Sequence, residues 1–195
     1  GGAAAELLHQ AGAKIIAVST GSGGVFAENG LDIQELKDYQ KENNRKIRGY
    51  PQAKPISNAE LLTLSCDVLI PAALENQITQ ENANQIQANI IAEAANGPVT
   101  LEANLSLEAR GVTVLPDILS NAGGVVVSYL EWVQGLSYLF WDEQKVNDEM
   151  ESLMVQAYRK VIEQSQKRKI SPRLAAYVLG VGRVAQALTD RGLYP

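Results

Sequence analysis

The alternation of apolar and polar segments along this chain predicts most of its architecture. Four short apolar runs, at residues 15–19, 66–70, 90–93 and 112–115, are separated by longer segments with helical spacing. Short apolar runs bounded by turn residues are typical of buried strands, and strands that alternate with helices are typical of a parallel sheet with helices on both faces. The pattern therefore predicts an α/β fold with a doubly wound, Rossmann-like parallel sheet.

Capping residues place the helices between these strands. An amphipathic segment covers residues 32–42, and the sequence Ser-Asn-Ala-Glu at 57–60 is a capping box for a short helix that ends near Leu64. Further helices are predicted at residues 79–87 and 101–110. A hairpin turn is predicted at residues 28–30, Glu-Asn-Gly.

The beginning of the chain reads as the second half of a βαβ unit. A helix opens on Gly1-Gly2 and stops at Gly12, and the first apolar run follows. The first strand of such a unit would lie before residue 1, so we expect a fragment whose sheet lacks its first strand. Gly1 or Gly2 would then end a glycine-rich dinucleotide loop; the alternative is a fresh N-terminus with a tag of small residues.

The last third is predicted to be helical. One helix runs from Ala122 to about Phe140, a second follows an Asp142 cap to Lys169, and a third follows Ser171-Pro172 to about Asp190. We therefore expect one nucleotide-binding domain over residues 1–195, with a sheet-containing part at about 1–120 and a helical part at about 121–195.

Composition narrows the possible functions. The 195 residues are 46% apolar with a net charge of −5, and the basic residues form no extended stripe, so a nucleic-acid partner is not expected. One cysteine and one histidine exclude an ordinary zinc site and an internal disulfide. No membrane span or signal peptide is recognisable, and we expect a reducing, cytoplasmic location.

Candidate chemistry lies where the strands end. In parallel sheets, ligands bind outside the carboxyl ends of the strands. Small or polar residues follow every predicted strand: Thr20-Gly21, Ala72-Ala73, Asn96-Gly97 and Asn121-Ala122. The alanines would let a flat ring approach the backbone. Thr20 stands where a dinucleotide fold usually has an acid for the adenosine ribose, so NADP is at least as plausible as NAD; alternatively, residues 20–24 form a glycine turn that binds nothing.

The segment 116–134 is the strongest single candidate for a binding site. At about 100° per residue from Asn121, Val125 falls at about 40°, Ser128 at about −20° and Trp132 at about 20°, so all four would share one helix face. An amide and a hydroxyl roughly 10 Å apart on an apolar stripe suit a ligand lying along the helix. The alternative is a core helix whose Asn caps its own start and whose Ser bonds back to a carbonyl.

Several segments together resemble the C-terminal nucleotide-binding domain of glutamate dehydrogenase, in the family of glutamate, leucine, phenylalanine and valine dehydrogenases. The likeness covers the whole chain. The segments that carry it are Ala4 with Glu6-Leu7-Leu8 and Gly12-Ala13-Lys14, the run from Cys66 to Ile78, Ala95-Asn96-Gly97-Pro98, the run from Leu115 to Trp132, and Ala175 to Leu179.

This resemblance implies a role for each candidate. Asn96 and Asn121 would flank the nicotinamide ribose and carboxamide, and Ala72 and Ala73 would line the cofactor cleft. Thr20 would lie at the adenosine ribose. The substrate side chain would meet Val125 and Ser128, whose hydroxyl would donate to the distal carboxylate. The catalytic lysine and aspartate of the family belong to an N-terminal domain, so no catalytic residue is expected in this chain.

The resemblance also implies an activity for the parent enzyme. Such enzymes reversibly deaminate L-glutamate to 2-oxoglutarate and ammonium with NAD or NADP, and they form homo-hexamers mainly through the other domain. Two departures are visible: Thr20 replaces the usual acid, and Ala94 stands where a glycine is common. Leucine, phenylalanine and valine dehydrogenases remain the alternative within the family, although their Asn-Ala-Gly-Gly segment is not usually followed by Val-Ser-Tyr-x-Glu-Trp. A non-catalytic interaction or regulatory module with the same fold is the alternative outside it.

Overall fold

The computed structural model describes residues 1–192, which form two small sheets and eight α-helices. The strands are β1 (Ala17–Thr20), β2 (Gly23–Phe26), β3 (Lys54–Ile56), β4 (Val68–Leu69), β5 (Ile90–Ala92) and β6 (Thr113–Leu115). The helices are α1 (Gly2–Gln10), α2 (Ile33–Glu42), α3 (Asn58–Leu62), α4 (Leu101–Ala109), α5 (Asp117–Ser120), α6 (Gly123–Ser137), α7 (Glu143–Arg168) and α8 (Pro172–Arg191).

The parallel sheet has the strand order β4-β5-β6. Ile90 pairs with Val68 and with Thr113, so all three strands end at the same edge. Ile91 and Val114 are buried at its centre, and Leu107 of α4 packs against them within one apolar cluster. The predicted α/β class and parallel sheet are confirmed for these three strands.

The fourth predicted strand, β1, does not join this sheet, and that part of the prediction is wrong. β1 pairs antiparallel with β2, and β2 with β3, in a separate sheet. The physical reason is the short connection at residues 21–22, which folds β2 directly back along β1. Gly24 allows the close approach, since a Cβ there would lie 2.9 Å from the Val18 carbonyl oxygen. The hairpin connection is therefore at residues 21–22. A turn also forms at the predicted 28–30, where the Gly30 N–H donates to the Ala27 carbonyl at 3.0 Å, but it leads into α2 and not into a second strand of a hairpin.

Helix caps agree well with the sequence. Asp32 caps α2, Ser57 and Glu60 form the predicted capping box of α3, Asp142 caps α7, and Ser171 caps α8. α6 ends earlier than expected, at Ser137, and its C-cap Tyr138 has a left-handed φ of 54°.

The helix predicted at 79–87 is only a 3₁₀ turn at Ala83–Gln85. The Asn82 side chain accepts from the Thr79 N–H at 2.9 Å and donates to the Gln77 carbonyl at 2.9 Å. Such local side-chain bonds compete with the helical ladder, which explains the shortened element.

The helical part packs at the carboxyl end of β6. Leu119 of α5 is buried with Val161 of α7 and with Ala175 and Ala176 of α8. This cluster fixes α8 close to residues 116–122, which contain α5 and which we call the loop after β6. No helix within residues 1–192 is long and apolar enough to cross a membrane.

Candidate functional site

An open cleft lies at the edge where the parallel strands end. Its volume is about 420 Å³, and it is lined by the segments that follow β4 and β5, namely Ala72–Glu75 and Ala94–Asn96. We call it the strand-end cleft. The predicted residues Ala72, Ala73 and Asn96 all line it. Four of its seven lining residues are alanines, so the backbone is accessible to a flat ligand.

Backbone hydrogen bonds join the loops around the cleft. Ala94 and Ala95 donate their N–H groups to the Pro71 carbonyl at 3.1 and 2.9 Å, and the Asn76 N–H donates to the Gly97 carbonyl at 2.9 Å. Gly97 has φ of 54°, a left-handed conformation that a glycine adopts at little cost. The loops after β4 and β5 are thus a single connected rim.

Asn96 and Asn121, which we call the Asn pair, meet at this rim. The Asn121 Nδ2 donates to the Asn96 Oδ1 at 2.6 Å, although the two residues belong to the loops after different strands. This contact leaves the Asn96 amide N–H groups and the Asn121 Oδ1 available, so the pair offers both donors and an acceptor. The structure therefore brings together two of the residues that the sequence singled out.

Asn121 is not on the helix that carries Val125 and Ser128, which corrects the predicted shared helix face. It is the C-cap of α5, with φ of −105° and ψ of 8°, and α6 begins only at Gly123. The chain does not form one continuous helix here. A separate four-residue helix, α5, begins after Pro116 and ends before Asn121.

Val125 and Ser128 lie on α6, three residues apart and hence on one side of it. Both are exposed, with Val125 at 75%. They are not buried as the core-helix alternative requires, and they are open to a ligand or to another part of a larger protein. Trp132, on the same stripe, is also exposed at 61%.

Thr20 does not line the strand-end cleft. Its hydroxyl lies 3.0 Å from that of Ser22 and donates to the Gly23 carbonyl at 3.3 Å, within the turn between β1 and β2. The structure therefore gives Thr20 a local role in the hairpin turn.

Sequence reasoning missed the charged residues beneath the cleft. Glu93 is fully buried, and its Oε1 pairs with the Arg173 guanidinium at 2.5 Å. Its Oε2 accepts from the Asp117 N–H at 2.7 Å, and its carbonyl accepts from the Ser120 hydroxyl at 2.8 Å. Arg173 also reaches the Asp117 carboxylate at 3.4 Å, and that carboxylate accepts from the Gly97 N–H at 2.8 Å. We call Glu93, Asp117 and Arg173 the buried charge network.

Two opposing effects act on Glu93. Burial raises the pKa of its carboxyl, while the hydrogen bond from Arg173, followed by the Asp117 N–H, lowers it, and the net direction is upward. Two features of the sequence mark the individual residues, although neither shows that they pair. Glu93 directly continues a strand, and Arg173 occupies the first turn of α8, where the helix dipole disfavours a cation. A nearby anion offsets this unfavourable interaction.

The N-terminal end of α1 contributes to the charge at the cleft. The first turn of α1 lies beside it, since a Cβ on Gly1 would be 3.4 Å from the Cβ of Ala72. The free N–H groups of a helix start favour anions. Within residues 1–192, no group of three or more histidine, cysteine, aspartate or glutamate residues is placed to hold a metal ion.

Comparisons with known proteins show the family of the chain. The sequence profile of the Glutamate/Leucine/Phenylalanine/Valine dehydrogenase family matches residues 1–192. The chain is 45% identical over 193 residues to a glutamate dehydrogenase of Thermotoga maritima, covering 99% of this chain and 46% of that protein. It is 44% identical over 188 residues to a cryptic catabolic NAD-specific glutamate dehydrogenase of Bacillus subtilis, covering 96% of this chain and 44% of that protein.

Solved structures give the same result. The hetero-hexameric glutamate dehydrogenase of Thermus thermophilus, in a Leu-bound form, superposes with a TM-score of 0.91 at 32% identity and covers 100% of this chain and 46% of that one. Glutamate dehydrogenase of Peptoniphilus asaccharolyticus gives a TM-score of 0.82 at 34% identity, with 100% and 45% covered. The chain thus spans less than half the length of these relatives. On its profile match, its sequence identity and its fold, this chain belongs to the Glutamate/Leucine/Phenylalanine/Valine dehydrogenase family.

Proposed function

We propose that this chain is the dinucleotide-binding part of a glutamate dehydrogenase, which reversibly converts L-glutamate to 2-oxoglutarate and ammonium with NAD or NADP. The observation that carries the proposal is the Asn pair at the carboxyl edge of the parallel sheet, beside the strand-end cleft. This edge is where α/β sheets bind nucleotides.

The Asn pair matches the chemistry of a nicotinamide carboxamide. A carboxamide has one carbonyl acceptor and one N–H₂ donor, and the pair presents the complementary Asn96 N–H groups and Asn121 Oδ1. When bound, the nicotinamide ring supplies the hydride chemistry. The work of these two side chains is to fix the orientation of the ring and of its ribose, so that the substrate meets one defined face.

The cleft fits the rest of the cofactor. Ala72 and Ala73 leave room for a ring against the backbone, and the first turn of α1 favours the pyrophosphate charge. We assign the adenosine ribose to the side on which Thr20 lies. Relatives named NAD-specific support NAD; the absence of an acid at Thr20 removes the usual repulsion of a 2'-phosphate, so NADP is tested as well.

We assign Val125 and Ser128 to the substrate. The Val125 side chain would contact the aliphatic part of glutamate, and the Ser128 hydroxyl would donate to its distal carboxylate. Both residues are exposed on α6, so a ligand can reach their side chains. The catalytic lysine and aspartate would be supplied outside this chain.

The test is an assay of the complete protein that contains this chain. We expect oxidation of NADH or NADPH in the presence of ammonium and 2-oxoglutarate, and much slower turnover with the 2-oxo acids of leucine, phenylalanine and valine. Faster turnover with a branched-chain or aromatic 2-oxo acid would reassign the substrate within the family, and inactivity with all of them would favour a non-catalytic module.

Variants of Ser128 test the substrate assignment separately. Ser128→Ala should raise the KM for 2-oxoglutarate roughly tenfold, since a hydrogen bond to a charged group is lost, and should leave the KM for the dinucleotide unchanged. Ser152→Ala, at an exposed hydroxyl of α7, is the matched control. An unchanged KM for 2-oxoglutarate in Ser128→Ala would remove Ser128 from the substrate site.

Assembly and location are part of the same proposal. A hexameric parent is supported by the hetero-hexameric Thermus thermophilus relative and is tested by light scattering of the purified complete protein. The free thiol of Cys66 is consistent with a reducing, cytoplasmic compartment.

A further inference from the structure

The buried charge network connects the first turn of α8 to the two loops that carry the Asn pair. We propose that Arg173 is a positioning residue of the cofactor site, which acts through Glu93 and Asp117 to fix the separation of those two loops. This inference rests on the proposed function, because the loops in question are the ones assigned to nicotinamide.

The connection runs through short contacts on both sides. On the side of β5, the guanidinium holds the Glu93 carboxylate at 2.5 Å, three residues before Asn96. On the side of β6, it holds the Asp117 carboxylate at 3.4 Å, four residues before Asn121. Glu93 and Asp117 are themselves joined, since the Asp117 N–H donates to the Glu93 Oε2 at 2.7 Å. One cation therefore ties the bases of both loops.

A second contact carries this constraint to the Asn pair. The other oxygen of the Asp117 carboxylate accepts from the Gly97 N–H at 2.8 Å, directly beside Asn96. Asp117 thus crosses from the loop after β6 to the loop after β5. Because Asp117 holds both Arg173 and Gly97, a displacement of the guanidinium moves the backbone that carries Asn96.

Burial and charge explain why the position needs arginine. The Glu93 side chain is 0% exposed, and those of Arg173 and Asp117 are 15% and 17% exposed, so the three charges are weakly solvated. The two carboxylates repel each other, and the planar guanidinium satisfies both from one side chain. Its Nε also lies 3.4 Å from the Asn104 Oδ1 of α4, which fixes the plane of the group. A lysine would bring one point charge and could not bridge both carboxylates in this way.

The location of Arg173 argues against a purely helical role. In the first turn of α8 a cation is disfavoured by the helix dipole, so the residue does not stabilise its own helix. Its contacts lie in the segments beneath the cleft and in α4.

The experiment compares Arg173→Met and Arg173→Lys with the wild type in the complete protein, with Arg183→Met, at an exposed arginine of the same helix, as the control. In Arg173→Met we expect kcat/KM for the dinucleotide to fall roughly tenfold or more, with the KM for 2-oxoglutarate little changed. In Arg173→Lys we expect the thermal midpoint to return towards wild type while kcat/KM for the dinucleotide stays low. Arg183→Met should behave as wild type.

The outcomes separate positioning from simple stabilisation. If Arg173→Lys recovers both thermal midpoint and kcat/KM, or if Arg173→Met keeps wild-type kcat/KM per folded site, the inference is overturned. If Arg173→Lys does not recover the thermal midpoint, amide hydrogen exchange distinguishes positioning from stabilisation. Faster exchange confined to residues 94–97 and 117–121 supports the inference, and a uniform increase that includes α2 overturns it.

Failure of the proposed function would be seen separately, as a wild type that turns over no 2-oxo acid with either cofactor. The exchange measurement then still reports on the loops, because it needs no activity.

Discussion

Replacing Asp117 with alanine removes the acceptor of one backbone hydrogen bond, from the Gly97 N–H at 2.8 Å, that joins the loop after β6 to the loop after β5. Gly97 lies beside Asn96, and its N–H has the Asp117 carboxylate as its acceptor. In the Asp117→Ala variant this N–H should open to solvent more often, so hydrogen exchange at Gly97 should accelerate.

The structure sets the size of the effect. The acceptor is a carboxylate that is 17% exposed, so water competes weakly. Hydrogen bonds to charged groups contribute roughly 1.5–3 kcal/mol. Because about 1.4 kcal/mol corresponds to a factor of ten, exchange at Gly97 should accelerate roughly 10- to 150-fold. The Glu93–Arg173 pair remains in this variant, so the sheet itself should keep its protection.

Hydrogen exchange followed by mass spectrometry of the complete protein measures this, with peptides that cover residues 94–100 and 33–42. Asp38→Ala is the matched control, because among residues 1–192 the Asp38 carboxylate of α2 accepts only from the exposed side chains of Lys41 and Gln34. Unchanged exchange at Gly97 in Asp117→Ala would refute the loop connection. An equal increase in the peptide from α2 would indicate global destabilisation and would also count against it.

Three further predictions follow from burial and pKa. The pKa of Glu93 is raised in the folded state, and it should rise further without Arg173. We expect the thermal midpoint of Arg173→Met to lie below that of wild type. This deficit should shrink as the pH falls from about 8 to about 5, because a protonated Glu93 needs no cation. A deficit independent of pH would contradict this. Burial, followed by the charge of Asp67, raises the pKa of Cys66, so its alkylation by iodoacetamide should be slow at neutral pH and accelerate as the pH rises above about 9; rapid alkylation at neutral pH would show an exposed thiolate. Leu107 is completely buried, so Leu107→Ala should cost about 2–5 kcal/mol and lower the midpoint in thermal denaturation, whereas Leu105→Ala, at an exposed site of the same helix, should change little.

Local signals in the sequence were sufficient for the starts of α2, α3, α7 and α8. Asp32, Ser57, Asp142 and Ser171 each accept from an N–H three residues ahead, and that interaction depends on a few neighbouring residues only. The parallel strands β4, β5 and β6 were also predictable, because alternation with helices restricts how such strands can pair.

Contacts between residues far apart in the sequence were harder to predict. The sequence pattern identified β1 as a strand but not its partner, which the turn at residues 21–22 decides. The angular spacing that placed Asn121 on one helix face with Val125 and Ser128 assumed an unbroken helix, whereas α5 ends at Ser120. The meeting of Asn96 and Asn121 was foreseeable from the rule that parallel strands end at one edge. The Glu93–Arg173 pair, 80 residues apart, was not, because hydrophobic periodicity does not determine which charges meet.

A crystal structure of the complete protein with bound NAD would show whether the Asn pair binds the nicotinamide. We expect the nicotinamide carboxamide and ribose within about 3 Å of the Asn96 and Asn121 amides, with the ring over Ala72 and Ala73. A dinucleotide bound away from the ends of β4, β5 and β6, with the Asn pair still facing solvent, would show that the strand-end cleft is not the cofactor site.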